Sequence, residues 1–178
     1  MTFEEKTIDS ELIYKGAILN LRKDKVTVLN GTSYREIVEH NGGAAIAPLT
    51  DDGKIIMVKQ YRKPPERVML EVPAGKRDGD EEWQDIAVRE LKEETGYTAG
   101  NLEFVGMMYP TPGYSKEILA MYIATDLVAG ETNFDENEAI DIEAYPVEEL
   151  VDMVMAGKIE DAKTQIMILK TAEYIRRR

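Results

Sequence analysis

Two dipeptides, Asn30-Gly31 and Asp52-Gly53, do most to restrict what this chain can fold into. Each stands between runs of strand-forming residues, LRKDKVTVL and TSYREIVEH around the first, AAIAPL and KIIMVKQYR around the second. Asn-Gly and Asp-Gly favour the tight primed turns that join antiparallel strands, so both stretches read as hairpins. VMLEVPAG adds a short strand stopped at Pro73, because proline cannot donate to a sheet ladder. LEFVGMMY and EILAMYIATDL read as two more strands. Helices are expected from Asp80 or Glu81 to Thr95, with Gly96 as the stop, over VEELVDMVMAG, and over DAKTQIMILKTAEYIRRR. Strands and helices interleaved so irregularly predict an α/β sandwich with a mixed sheet, not regular βαβ winding. Gly42-Gly43 is the natural joint between a small antiparallel β appendage over residues 1–41 and a main domain over residues 42–178.

The chain has 178 residues and no cysteine, so disulfides and thiolate metal sites are excluded. A cysteine-free chain fits a cytoplasmic setting. No apolar run approaches the roughly 20 residues that span a bilayer. The acidic, mixed start MTFEEKTIDSELIYK is unlike a signal or transit peptide. A formal net charge of −12 argues against nucleic acid and anionic membranes, because phosphate neutralisation needs a basic face. The one basic cluster, Arg176 to Arg178, suits the C-terminal end of a helix. A small phosphorylated substrate is compatible with this charge provided that metal cations offset the repulsion.

The segment RELKEETGY places Glu90, Glu93 and Glu94 within little more than one helical turn. At about 100° per residue, Ile86, Ala87 and Leu91 define an apolar stripe, and Glu90 and Glu94 fall inside it. Glu93 sits at its edge, while Arg89, Lys92 and Asp85 lie opposite. Carboxylates on a face meant for the core break the binary pattern and need compensation. A solvated helix face is one reading. A bound divalent cation answers the repulsion better, since oxygen ligands suit Mg²⁺ or Mn²⁺.

From Gly75 to Tyr97 the chain reads GKRDGDEEWQDIAVRELKEETGY, which resembles the Nudix hydrolase box. Gly75, Glu81, Arg89, Glu90, Leu91, Glu93, Glu94, Gly96 and Tyr97 all stand in its register. The resemblance implies an α/β/α sandwich that hydrolyses a diphosphate joined to another moiety, with two or three Mg²⁺ or Mn²⁺ ions. It makes Glu90 and Glu94 metal ligands and Glu93 a ligand or proton acceptor. Glu81 becomes a more peripheral ligand, and Arg89 orients the glutamates from behind them.

Flanking segments narrow the resemblance to the ADP-ribose pyrophosphatase branch. VMLEVPAGK is similar to the segment in which an alanine carbonyl, here that of Ala74, ligates metal. Pro112 lies sixteen residues beyond Gly96, where that branch carries a proline, and Glu117 follows five positions later as a contact to the ribose side. The likeness also makes Arg35 a substrate contact and Arg62 a clamp on the pyrophosphate. FDENEAIDIEAY, residues 134 to 145, resembles an acidic loop closing over the reaction centre. There Glu136 maps to the general base and Glu138 to a further ligand, with Asp135 close enough for the assignment to slip. His40, the only histidine, is read as structural.

On this resemblance the cations polarise the diphosphate, Glu136 or Glu93 takes the proton of the attacking water, and the products are AMP and ribose 5-phosphate. The branch implies a homodimer built through residues 1–41, with Phe3, Tyr14 and Tyr34 as candidates for stacking on adenine. Two alternatives stay open: a pyrophosphatase for GDP-mannose or another nucleotide sugar, and a non-catalytic domain that senses ADP-ribose and regulates a partner.

Overall fold

The computed structural model describes residues 3–131 and 140–178. Backbone contacts divide the chain into two compact units, Met1–Gly42 with Tyr109–Ile118, and Gly43–Met108 with Leu119–Arg178.

The first unit is an antiparallel sheet of β1 (Thr7–Lys15), β2 (Asn20–Val28) and β3 (Gly31–Glu39), in that order. The turn into β3 uses Gly31 at a φ of 110°, which an L side chain rarely adopts. All nine residues of β1 are exposed, although Ile8, Leu12, Ile13 and Tyr14 are apolar. The strand is held by its ladder and by Ser10, whose hydroxyl donates to the buried Asp24 carboxylate at 2.7 Å. Residues 109–118 join this unit through β3, where the Val38 amide donates to the Tyr114 carbonyl and the Lys116 amide to the Val38 carbonyl.

The second unit has two sheets. One runs β10 (Ile140–Pro146), β5 (Lys54–Arg62), β6 (Arg67–Glu71) and is antiparallel. The other runs β7 (Ala74–Lys76), β4 (Gly43–Pro48), β9 (Leu119–Val128), β8 (Thr98–Met108), with β4 and β9 parallel. All six residues of β4 are buried. Its alternation sends Ala44 and Ile46 to one apolar cluster and Ala45 and Ala47 to another, and β9 splits its residues the same way. Helix α1 (Trp83–Thr95) fills the first cluster with Ile86, Ala87 and Leu91. Helices α2 (Val147–Met155) and α3 (Ala162–Arg176) fill the second with Leu150, Met167 and Ile168. A strand with both faces covered must be apolar throughout, which is why AAIAP carries no polar side chain. The sheet lies between helical layers, the α/β/α arrangement with a mixed sheet.

Three local expectations need correction. The strands flanking Asp52-Gly53 do not form a hairpin: β4 pairs with β7 and β9, β5 pairs with β6 and β10, and only Leu49 and Ile55 bridge across the turn, because each strand finds longer partners in its own sheet. Helix α1 starts at Trp83, later than Asp80 or Glu81. The Glu81 carbonyl accepts from Arg77 Nε at 2.7 Å and its carboxylate from Arg89, so Glu81 is held outside the helix. The stretch read as an acidic loop over 134–145 ends in strand β10, whose Ile142 pairs with Val58 of β5. Pairing with a buried neighbour overrides the polar composition there. Residues 132–139 lie outside the described residues.

Candidate active site

The acidic face of α1 is built around Arg89. Its Nε and Nη2 donate to the two oxygens of Glu81 at 3.1 and 3.0 Å. Nη1 donates to Glu90 at 2.6 Å and to Glu93 at 3.0 Å, and Nη2 also reaches the Lys76 carbonyl at 3.0 Å. One planar fork thus gathers three carboxylates and pins the loop before the helix, a task suited to guanidinium. The Glu81 hydrogen bonds, ahead of Glu90 and Glu93, push the Arg89 pKa up, and Arg89 in turn holds Glu81 below the usual glutamate range. The helix wheel put Arg89 opposite the glutamates; the length of its side chain lets the head reach back.

Glu90 and Glu94 are both buried. Glu94 accepts from the Ala74 amide at 3.0 Å. Glu90 lies against bare backbone: a Cβ at Gly75 would coincide with its carboxylate, and a Cβ at Gly43 would strike the Gly75 carbonyl oxygen. Gly43 pairs with Lys76 and Gly75 with Ala44 on the adjacent strands β4 and β7, so two glycines one register step apart set the depth at which Glu90 sits. Gly96, at φ 75°, closes α1 with its amide on the Lys92 carbonyl at 2.9 Å. At the other end, the Arg77 guanidinium stacks on Trp83, 4.6 Å from the ring centre.

This donor set suits a hard divalent cation. Among the described residues no three His, Asp or Glu side chains converge as a ready-made metal cage. Mg²⁺ does not require one, because it commonly binds through one or two carboxylates and completes its shell with water and substrate phosphate. Two buried carboxylates one turn apart, beside the backbone of Ala74, meet that demand.

A second charged cluster joins β5, β6 and α3. Glu71, 2% exposed, accepts from Arg62 Nε at 2.8 Å and Nη2 at 2.9 Å, and also from Lys163 Nζ. Lys163 donates to Asp161 as well, at 2.9 Å. Asp161 caps α3 by accepting from the Thr164 amide at 2.9 Å, and the Thr164 hydroxyl accepts from the Val72 amide at 3.0 Å. Burial alone pushes Glu71 up, but Arg62 and Lys163 together more than offset it and leave its pKa lowered. The Glu94 charge also bears on Arg62.

Residues 39–167 match the family model described as NUDIX domain. The chain belongs to the NUDIX family. It is 42% identical over 170 residues to the ADP-ribose pyrophosphatase of Bacillus subtilis, covering 94% of this chain and 92% of that one. It is 40% identical over 169 residues to the methanol dehydrogenase activator of Bacillus methanolicus, covering 93% and 91%. A solved structure titled as an ADP compounds hydrolase superposes with a TM-score of 0.86 over 99% of this chain and 96% of that one, and at 21% identity it shows the shared fold.

In this NUDIX chain the second unit brings together Glu81, Arg89, Glu90 and Glu93, sets Glu94 against Ala74, and pairs Arg62 with Glu71. Arg35, Pro112 and Glu117 belong to the first unit. Arg35 donates through Nε to Glu5 at 2.8 Å and through Nη1 to the Tyr34 carbonyl at 2.9 Å. Pro112 is exposed, and the Glu117 amide donates to the Ser115 hydroxyl at 3.1 Å. His40 Nδ1 accepts from the Gly42 amide at 3.0 Å and lies 3.9 Å from a Glu117 oxygen. Glu136 and Glu138 lie outside the described residues. The sequence reading missed Glu71, Asp161, Lys163 and Gly43. Glu71 stood within the quoted LEVPAG segment, and no sequence signal points to the other three.

Proposed function

We propose that this NUDIX protein hydrolyses the pyrophosphate of ADP-ribose, giving AMP and ribose 5-phosphate. The observation that carries the reading is the match along nearly the whole chain to a relative named ADP-ribose pyrophosphatase. Buried carboxylates on one face of α1 support it chemically. In this reading Glu90, Glu94, the Ala74 carbonyl and Glu138 hold two or three Mg²⁺ or Mn²⁺ ions. Bound divalent cations supply Lewis-acid polarisation of the diphosphate and acidify water. Arg89 keeps Glu90 and Glu93 in fixed rotamers, and Glu81 holds the guanidinium that does so. Glu93 or Glu136 accepts the proton of the attacking water. Arg62 meets charge developing on the phosphates. Arg35, Pro112 and Glu117 contact the substrate.

The protein is proposed to work as a homodimer joined through a β appendage over residues 1–41, ahead of a hydrolase domain over 42–178. The exposed apolar side chains of β1 support this, because uncovered apolar surface invites a second copy. A cytoplasmic location is the reading that a chain without cysteine favours. Among the described residues no helix is long and apolar enough to cross a membrane.

The name of the Bacillus methanolicus relative favours a second reading, action on a dehydrogenase partner. One experiment tests the hydrolytic reading without any partner. Purified protein is incubated with Mg²⁺ and, in parallel, ADP-ribose, GDP-mannose and an oxidised dGTP, beside Glu94→Gln. The expected result is AMP from ADP-ribose with no partner present, reduced about 10²–10³-fold in the variant, the scale of removing one preorganised electrostatic group. Faster GDP-mannose cleavage moves the substrate assignment, and ADP-ribose binding without turnover of any substrate overturns the hydrolytic reading.

A further inference from the structure

Arg62 cannot simply be a free clamp, because two of its donors are committed to a carboxylate that is almost fully buried. If Arg62 were the sole partner of Glu71, turning its guanidinium toward a diphosphate would strand a buried negative charge, among the costliest acts a folded chain can perform. The structure provides a second cation. Lys163 Nζ donates to the same Oε2 of Glu71 that Arg62 Nη2 uses. The two cations are unequally placed: the side chain of Arg62 is 39% exposed and that of Lys163 12%. Lys163 is also anchored behind, on Asp161 at 2.9 Å, and Asp161 is fixed as the cap of α3. Lys163 therefore stays, and Arg62 is the partner with access to solvent.

We propose that Lys163 is a positioning residue for phosphate binding: it keeps Glu71 neutralised so that the Arg62 guanidinium can leave that carboxylate for the diphosphate of the substrate. The inference rests on the reading of Arg62 as a pyrophosphate clamp. It adds the first turn of α3 to the residues that set substrate affinity. Thr164 strengthens the link, since its hydroxyl donates to Asp161 at 2.6 Å and accepts from the Val72 amide beside Glu71. The ligand chemistry is that of a diphosphate dianion or polyanion, which a guanidinium meets with two parallel hydrogen bonds.

The arrangement makes an unusual demand on a double-mutant cycle. Lys163→Met leaves Glu71 dependent on Arg62, so Arg62 is withheld from the ligand. Glu71→Gln removes the charge that needs compensation, so the same Lys163 substitution should then cost little. Calorimetric titration with inorganic pyrophosphate reads this without turnover, and ADP-ribose kinetics read it with turnover. The expected result is about a tenfold rise in pyrophosphate Kd and in KM for Lys163→Met, the scale of one charge-assisted hydrogen bond. The kcat should change less than twofold, and Lys163→Arg should recover both constants. In the Glu71→Gln background the Lys163→Met effect should shrink to less than twofold. An effect that persists there overturns the proposal, because Lys163 then acts on the ligand through its own charge. Equal affinity in wild type and Lys163→Met, or no pyrophosphate binding by the wild type, also overturns it. The double variant buries no unpaired charge and so guards against a folding failure of Lys163→Met alone. Loss of ADP-ribose turnover in the wild type with this binding pattern intact would refute the proposed substrate and leave the role of Lys163 standing.

Discussion

Arg89 and Arg62 solve opposite problems with the same functional group. Arg89 is one cation serving three carboxylates, Glu81, Glu90 and Glu93, all on α1 or the loop before it. Glu71 is one carboxylate served by two cations, Arg62 and Lys163, drawn from β5 and α3. In the first cluster negative charge is in excess and metal is the natural complement. In the second, Arg62 and Lys163 balance Glu71 and Asp161, so it is the exposed guanidinium, once turned outward, that would meet phosphate. The difference teaches how a chain with net charge −12 can recognise a polyanion at all. It need not be basic overall, only arranged so that one patch attracts cations and its neighbour spares a guanidinium.

The largest effect separating the clusters is expected from Glu71→Ala. It leaves two cations without their buried partner and should lower unfolding stability by about 3 kcal/mol, the scale of breaking a buried ion pair. Denaturant melts measure this, and a loss below about 1 kcal/mol would show that the second cluster is no more structural than a surface pair. Arg89→Gln should do the reverse. Glu81 and Glu93 border solvent and only Glu90 is buried, so the stability loss should be the smaller one, about 1 kcal/mol, while hydrolysis falls about 10–100-fold, as when the residues that orient metal ligands are lost. Activity retained in Arg89→Gln would mean that the glutamates need no orienting cation.

The smallest effect is an acid titration. Glu71 and Glu81 both have folded pKa values below the ordinary one. A depressed carboxylate contributes stability that is fully present above its unfolded value, about 4.3, and is lost as pH falls through the folded value. Stability should therefore be flat from neutrality to about pH 5 and decline below it. In Glu71→Gln the decline should be shallower than in Glu81→Gln, because the Glu71 carboxylate is buried and Glu81 is open to solvent screening. Equal slopes would erase the contrast between the clusters.

How much of this was legible depended on whether the signal was local. The Asn30-Gly31 hairpin, the stop at Pro73 and the glycine closing α1 are written in neighbouring residues and could be read, whereas Asp52-Gly53 marks a turn whose flanking strands pair elsewhere. The conflict between the apolar stripe of α1 and Glu90 and Glu94 was equally visible, since it needs only the helical period. Strand β10 was not, because its polar residues become a strand only by pairing with β5. Lys163 was not, because it meets Glu71 across 92 positions of sequence. Gly43 looked like a hinge, yet its missing side chain makes room for the Gly75 carbonyl under Glu90. The box residues were legible through their fixed register, whereas their support was dispersed over β4, β6 and α3.

The stacking of Arg77 on Trp83 has an optical consequence. Trp83 is the only tryptophan, so the emission of the whole protein reports on the first turn of α1. A cation 4.6 Å from the indole is tied through the Glu81 carbonyl to the Arg89 cluster, so a change in that cluster is expected to register in the wavelength and intensity of the emission. The native chain thus carries its own fluorophore at the edge of the acidic face, and occupancy there can be followed by light without any label.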